Sequence, residues 1–261
     1  MNKLKLKIIK IGGNIIENEQ NLNDFLKDFA AIEGLKILIH GGGKKATELA
    51  NAIGLQPKMV NGRRITDEAN LEIVTMVYAG LINKNVVAQL QKNNCNAIGL
   101  SGVDGNTILA HKRIVKDIDY GFAGDIDAVN ASTVNALLQN NLTPVFCAIT
   151  HNKEGQLLNT NADTVASEIA IGMSKLYNVE LDFLFELKGV LKNFEDKESV
   201  IPFINFETYE QLVKEGVISD GMLPKLHNCF NALQKGVSKV KIGDATFIKN
   251  SNNKHTTLSL K

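Results

Sequence analysis

Two apolar runs in this chain, Leu6-Lys7-Ile8-Ile9-Lys10-Ile11 and Ile37-Leu38-Ile39-His40, each end in glycines, Gly12-Gly13 and Gly41-Gly42-Gly43. That strand–glycine–helix arrangement constrains the fold more than any other feature. Glycine at the carboxyl end of a strand, just before a helix, lets backbone N–H groups converge on an anion with no side chain in the way. The first run also places a lysine where a core residue belongs. Lys3, Lys5 and Lys7 share one strand parity and Leu4, Leu6 and Ile8 the other, and Lys10 falls on the apolar parity. An ammonium is costly to bury without an anionic partner, so an inward Lys10 beside a glycine loop reads as part of a phosphate site.

The rest of the chain alternates strand-like with helix-like runs, the pattern of a mainly parallel α/β sheet. Strands are expected at 4–11 and 36–40, with an amphipathic stretch at 23–32 between them and a helix at 44–53. A long helical region at 67–92 repeats Leu71, Val74, Val77, Leu81 and Ile82 at helical spacing. Further strands are expected at 97–100, 107–116 and 144–149, a turn at 101–105, helices at 131–140 and 163–173, and a polar hairpin at 152–156. A fresh cycle begins with a strand at 181–187, continues through helices at 207–215 and 223–235, and ends with strands at 239–242 and 257–260. A lobe boundary is expected near 174–180, with both halves sharing one sheet.

Bulk properties exclude several classes of function. The 261 residues carry a net charge of +1, so nothing draws the chain electrostatically to nucleic acid or an anionic membrane. Cys95, Cys147 and Cys229 are odd in number and far apart, without spacing for zinc or a disulfide framework. No apolar run approaches the roughly 18 residues that span a bilayer, and lysines interrupt any signal-peptide core. A cytoplasmic location is expected.

Four polar constellations remain. Gly41-Gly42-Gly43 precedes a helix whose N–H groups favour an anion, yet it has neither the Lys-Ser/Thr of a P-loop nor a dinucleotide fingerprint. Asn61-Gly62-Arg63-Arg64-Ile65-Thr66 brings two arginines, the natural clamp for a carboxylate, to a helix start capped by Thr66 or Asp67. Asn159, Asn161 and Asp163 crowd another helix entry, more such residues than one cap needs. Asp220-Gly221-Met222-Leu223-Pro224-Lys225 opens a late helix with a cation at its positive end, where an anionic ligand would offset the repulsion.

In this order the motifs resemble the acetylglutamate kinase family within the amino-acid kinase fold, together with Gly80-Leu81-Ile82-Asn83-Lys84 and over nearly the whole chain. The resemblance implies an α/β fold, a three-layer α-β-α sandwich around a mainly parallel sheet. Its lobes would be 1–177, for the acyl amino acid and dimerisation, and 178–261, for ATP. It implies ATP-dependent phosphorylation of the γ-carboxylate of N-acetyl-L-glutamate, a step of arginine biosynthesis. Lys10 and Lys225 would stabilise the transferring phosphoryl group, and Asp163 would orient them. Gly42, Gly43, Arg64 and Asn159 would bind the acyl amino acid, Arg64 through its α-carboxylate. Gly12 and Gly13 would offer N–H groups to phosphate. Glu186, Leu187, Lys188, Gly189, Val190 and Leu191, with Val217, Ile218 and Ser219, would hold the nucleotide.

A carboxylate is already nucleophilic at neutral pH, so catalysis reduces to positioning and charge stabilisation. Magnesium would ride mainly on the ATP phosphates, and no metal-ligating residues are assigned. The run Leu184-Phe185-Glu186-Leu187-Lys188-Gly189-Val190 departs from the family's Leu-Thr/Ser-Asp-Val-x-Gly-Val pattern at the nucleotide side. The first strand starts without the extra helix of arginine-inhibited relatives, so a homodimer without arginine feedback is expected. The alternatives are a sister kinase acting on another acyl amino acid, such as N-succinylglutamate, and a non-catalytic nucleotide or amino-acid sensor.

Overall fold

A computed structural model describes residues 3–60, 62–218 and 222–260. The chain opens with β1 (Lys5–Ile11), the short α1 (Gly13–Glu17), α2 (Glu19–Ala30), β2 (Leu35–His40) and α3 (Gly43–Ala52). A two-stranded ribbon of β3 (Met59–Val60) and β4 (Arg63–Arg64) leads into α4 (Glu68–Thr75). That helix runs through π-helical turns at Met76–Ile82 into α5 (Asn83–Lys92). Next come β5 (Ala97–Leu100), β6 (Ile108–Lys112), β7 (Gly124–Val129), α6 (Ala131–Gln139), β8 (Thr143–Phe146), β9 (Ile149–His151), β10 (Leu157–Asn159) and α7 (Ala162–Ser174). The last part holds β11 (Asn178–Leu184), β12 (Phe203–Ile204), α8 (Phe206–Lys214), α9 (Met222–Gln234), β13 (Lys239–Gly243), α10 (Thr246–Lys249) and β14 (Thr256–Leu258).

Eight strands form the main sheet in the order β12-β14-β13-β11-β1-β2-β8-β5, and among its neighbours only β13 and β14 pair antiparallel. Strand parity decides what each face carries. Leu6 and Ile8 of β1 point with Ile37, Ile39, Leu181 and Val240 into a core closed by α6, α7, α8 and α9. Ile9 and Ile11 point the other way, with Leu38, Val145 and Leu184, beneath α2, α3, α4 and α5. The result is the expected three-layer α-β-α sandwich, and burying each such Ile or Leu contributes about 1.5–3 kcal/mol.

The helix over 68–92 is long and apolar enough to cross a membrane by length and composition. Here it is a core helix, with Leu71, Val74, Val77, Ile82, Val86 and Leu90 all buried in the second layer.

Three sequence expectations need correction. The apolar run at 144–149 is two strands in two sheets, because the chain turns after Phe146 and Ile149 joins a four-stranded sheet ordered β10-β9-β6-β7. The strand expected over 107–116 stops at Lys112. Its partner β7 was not anticipated, since Gly-Asp-Ile-Asp-Ala-Val lacks a clear alternation. The strand expected at 181–187 is β11, displaced toward the N-terminus; its C-terminal neighbours Phe185, Glu186 and Leu187 belong to a cleft wall instead.

Candidate active site

The geometry is built at the carboxyl ends of β1, β2 and β11, where ligands of open α/β sheets bind. Lys10 shares the β1 face of Leu6 and Ile8, the face packed on α7, so its ammonium meets Asp163 in the first turn of that helix. The Lys10 Nζ to Asp163 Oδ1 distance is 2.7 Å. Lys225, early in α9, reaches the other oxygen of the same carboxylate at 3.9 Å and lies 4.5 Å from the centroid of the Phe185 ring. Burial pushes the Asp163 carboxyl up, but the two ammoniums outweigh it and hold the group below the usual carboxylate range. Asp163 is therefore an anion at neutral pH, fixing two cations from opposite ends of the chain.

The crowding of Asn159, Asn161 and Asp163 resolves into three tasks. Asn161 alone caps α7, its Oδ1 accepting from the N–H groups of Asp163 at 2.8 Å and Thr164 at 3.2 Å. Asp163 is left to pair with the lysines. Asn159, whose Nδ2 donates to Thr66 Oγ1 at 3.0 Å, lines a cleft of about 220 Å³.

That smaller cleft is walled by the Gly41–Gly43 turn, Arg64, Tyr78, Asn159 and Ala162. Arg64 is buried, with 7% exposure. Its Nη2 donates to the Gly43 carbonyl at 2.9 Å and to Thr47 Oγ1 at 2.7 Å, and Nη1 lies 3.4 Å from Asn70 Oδ1. Among the described residues no carboxylate forms an ion pair with it. A buried guanidinium at the wall of a cleft, held among the described residues by neutral acceptors, can receive an anion. Asp67, not Thr66, caps α4, accepting from Asn70 N at 2.9 Å.

Gly42 is required by packing. A Cβ there would lie 2.5 Å from Ile82 Cδ1 and 2.8 Å from the Tyr78 ring. Both partners belong to the π-helical turns, whose extra residue per turn turns Tyr78 onto the glycines. His40 anchors the turn from below. It is fully buried, burial pushes its imidazole down to about 4, and it is therefore neutral. Its Nδ1 donates to the Gly41 carbonyl at 2.8 Å while Nε2 accepts from Asn83 Nδ2 at 3.1 Å.

The larger cleft, of about 840 Å³, is lined by Lys10, Gly12, Gly13, Lys225 and, on the far wall, Phe185, Glu186, Leu187 and Lys188. The Gly12 N–H is donated to the Leu184 carbonyl at 3.2 Å, which brings two strand ends close together. Gly13, which opens α1, lines the same cleft. Gly189, Val190, Leu191, Val217 and Ile218 are not among the residues lining the cleft. A Cβ on Gly189 would strike Thr256, the Val190 N–H donates to Thr256 Oγ1, and Val190, Leu191 and Ile218 are buried. Ser219, with Asp220 and Gly221, lies outside the described residues. Lys188 is drawn aside by an ion pair with Glu198, which Lys254 also contacts.

Sequence reasoning missed Tyr78, Arg113 and Tyr120 of the smaller cleft and Phe185, Phe194 and Asp244 of the larger. Tyr78 sits in an apolar helical repeat and looks like any core residue. Arg113, clasped by Asp125 through Nε at 3.1 Å, lies just past the end of β6.

There are two clefts, one suited by size to a small metabolite and one to a nucleotide; the larger is lined by two lysines bridged by Asp163, whose chain neighbour Ala162 lines the smaller. At the ends of parallel strands, that is the construction of an α/β phosphotransferase. The pattern of the amino acid kinase family matches residues 5–244, and the chain belongs to that family. An acetylglutamate kinase of Cytophaga hutchinsonii is 54% identical over 258 residues, covering 98% of each chain. One from Phocaeicola vulgatus is 53% identical over 246 residues, covering 94% of this chain and 96% of its own. Among solved structures, carbamate kinase from Giardia lamblia bound to AMP-PNP shares the fold, with a TM-score of 0.70 at 15% identity and all of both chains covered.

Proposed function

We propose that this protein transfers the γ-phosphoryl group of ATP to the side-chain carboxylate of N-acetyl-L-glutamate, forming N-acetyl-L-glutamyl 5-phosphate, a step of arginine biosynthesis. The high identity to acetylglutamate kinases over the full chain supports the substrate. The observation that carries the mechanism is the adjacency of Ala162, which lines the smaller cleft, and Asp163, which holds the two lysines of the larger.

Arg64 receives the α-carboxylate and Asn159 the amide side of the acyl amino acid, while Gly42 and Gly43 admit the reacting carboxylate to the phosphoryl group. Lys10 and Lys225 flank that group and stabilise the charge on its oxygens in flight. Asp163 keeps both ammoniums in place and does not react. His40, neutral and spent on two hydrogen bonds, takes no part in proton transfer. Mg²⁺ would be held mainly by the nucleotide's own phosphates and water. Bound there, the ion would neutralise phosphate charge.

The lobe division at 177/178 has support in the linings. The smaller cleft draws only on residues before Asp163, and the larger takes most of its wall from residues after Leu184. A homodimer is supported by the open edge of β5 and by Met76 and Leu81, 56% and 49% exposed on the long helix. A cytoplasmic location is supported by the biosynthetic role. The deciding experiment is ADP release with ATP and, in turn, N-acetylglutamate, N-succinylglutamate, glutamate and aspartate, the acyl phosphate being trapped by hydroxylamine. Preference for N-succinylglutamate would make this a sister kinase. No turnover with any acceptor would favour the sensor reading.

A further inference from the structure

Phe194 stands out on the wall of the larger cleft because its ring packs against little of the protein. It is 68% exposed, yet the chain around it is firmly held. Lys192 N and Asn193 N donate to Ser199 O and Oγ at 2.8 and 3.0 Å, and Ser199 Oγ donates to the Asp196 carbonyl at 2.6 Å. Glu198 next to it is tied to Lys188 and Lys254. The Lys197 ammonium lies 3.6 Å from the Phe194 ring centroid and donates to the Phe194 carbonyl at 2.8 Å, which covers one face of the ring. These bonds hold a loop whose Phe194 and Lys197 both line the cleft that Lys10, Gly13 and Lys225 line, with the Lys197 ammonium against the ring and most of the ring's surface exposed. Phe185, the other aromatic of that cleft, is already engaged by Lys225.

We propose that the open face of Phe194 is the platform on which the base of the bound nucleoside triphosphate stacks. The proposal rests on the reading of the larger cleft as the nucleotide site, and it assigns the base end of that site. A ring held by a cation on one side is well placed to stack a purine on the other, because stacking needs only a flat π-face and excludes water from both rings. The lysines and N–H groups of the same cleft then fix the phosphates, and the base fixes how far along the cleft they sit.

The test uses two variants at this exposed position. Phe194→Ala should raise the KM for ATP about 5- to 150-fold, the equivalent of one lost base–aromatic stack. The acceptor KM and the thermal midpoint should stay as in the wild type. Inorganic triphosphate, which has no base, should inhibit both proteins equally. The chain contains no tryptophan, so Phe194→Trp creates a single fluorophore whose emission should be quenched by MgADP but not by the acceptor. An unaltered ATP KM in an active Phe194→Ala enzyme overturns the platform and leaves the kinase reading standing. A parallel loss of triphosphate inhibition also overturns it, placing the effect at the phosphate end. Wild-type protein that neither binds MgADP nor releases ADP overturns both.

Discussion

Replacing Arg64 by lysine and by methionine separates what its charge does from what its shape does. The guanidinium is buried, with two hydrogen bonds from Nη2 to Gly43 and Thr47 and a longer contact from Nη1 to Asn70. Arginine has five donors, so donors remain for an incoming carboxylate. Each charge-assisted contact with substrate is worth about 1.5–3 kcal/mol, or roughly 10- to 150-fold in affinity. Arg64→Lys keeps the charge but not the planar fork, and its acceptor KM should rise toward the lower end of that range. Arg64→Met loses both and should reach the upper end. Alanine is the poorer probe, because it would also leave a void behind the glycine turn. Stability should change little in the methionine variant: the Gly43 carbonyl loses a donor, but a buried cation without a counter-ion is also removed. Initial rates with each substrate varied in turn, alongside thermal melts, provide the readout. If the ATP KM rises while the acceptor KM does not move, the smaller cleft has been assigned to the wrong substrate.

Three other outcomes are expected. Lys10→Ala and Lys225→Ala should each lower kcat by roughly 10²–10³ with little change in melting temperature, since each removes one charged donor to the transferring group; near-normal turnover in either would remove that lysine from the mechanism. Gly42→Ala should destabilise the fold by about 1–3 kcal/mol through overpacking on Tyr78 and Ile82, visible in urea melts, and an unshifted midpoint would refute the tight approach. Asp182 is fully buried, and burial, with Glu180 adding to it, pushes its carboxyl up to about 7 against the pull of Lys7 and Lys241. The folded state then holds a proton between roughly pH 4 and 7 that the unfolded chain has lost, so stability falls across that window by up to about 4 kcal/mol. Asp182→Asn should therefore gain on the wild type between pH 5 and pH 8 in denaturant melts, and a pH-independent difference would discount the shift.

How far the site could be read in advance varies by residue. Lys10 was legible because strand parity has period two, and one lysine on the apolar parity is a visible exception. Asp163 and Arg64 stood out as surplus polar residues at helix entries. Gly12 was legible as a glycine but not in its role, because its N–H partner, the Leu184 carbonyl, comes from a strand far along the chain. The surroundings of 189–191 were hidden for the same reason: Thr256, which holds Val190, is equally remote. Tyr78 gave no signal, since the π-helical turns that aim it at Gly42 leave its spacing indistinguishable from core periodicity.

Local chemistry written along the chain determined the α/β class, the glycine-ended strands, the helix entries and the identity of the charged groups. These depend on neighbours within a few residues, through parity, capping and backbone freedom. Tertiary structure alone decided which of those groups meet. Pairing β1 with β11 brings Lys10 and the Phe185–Lys188 wall to one cleft, and packing α7 and α9 on the same face brings Asp163 between Lys10 and Lys225. It also decided that Arg64 is buried with no carboxylate paired to it among the described residues, and that Phe194 is left largely exposed. The physical reason is that an ion pair, a buried charge or an open stacking face depends on distance and exposure in space, which residues far apart in sequence set only once the sheet has formed.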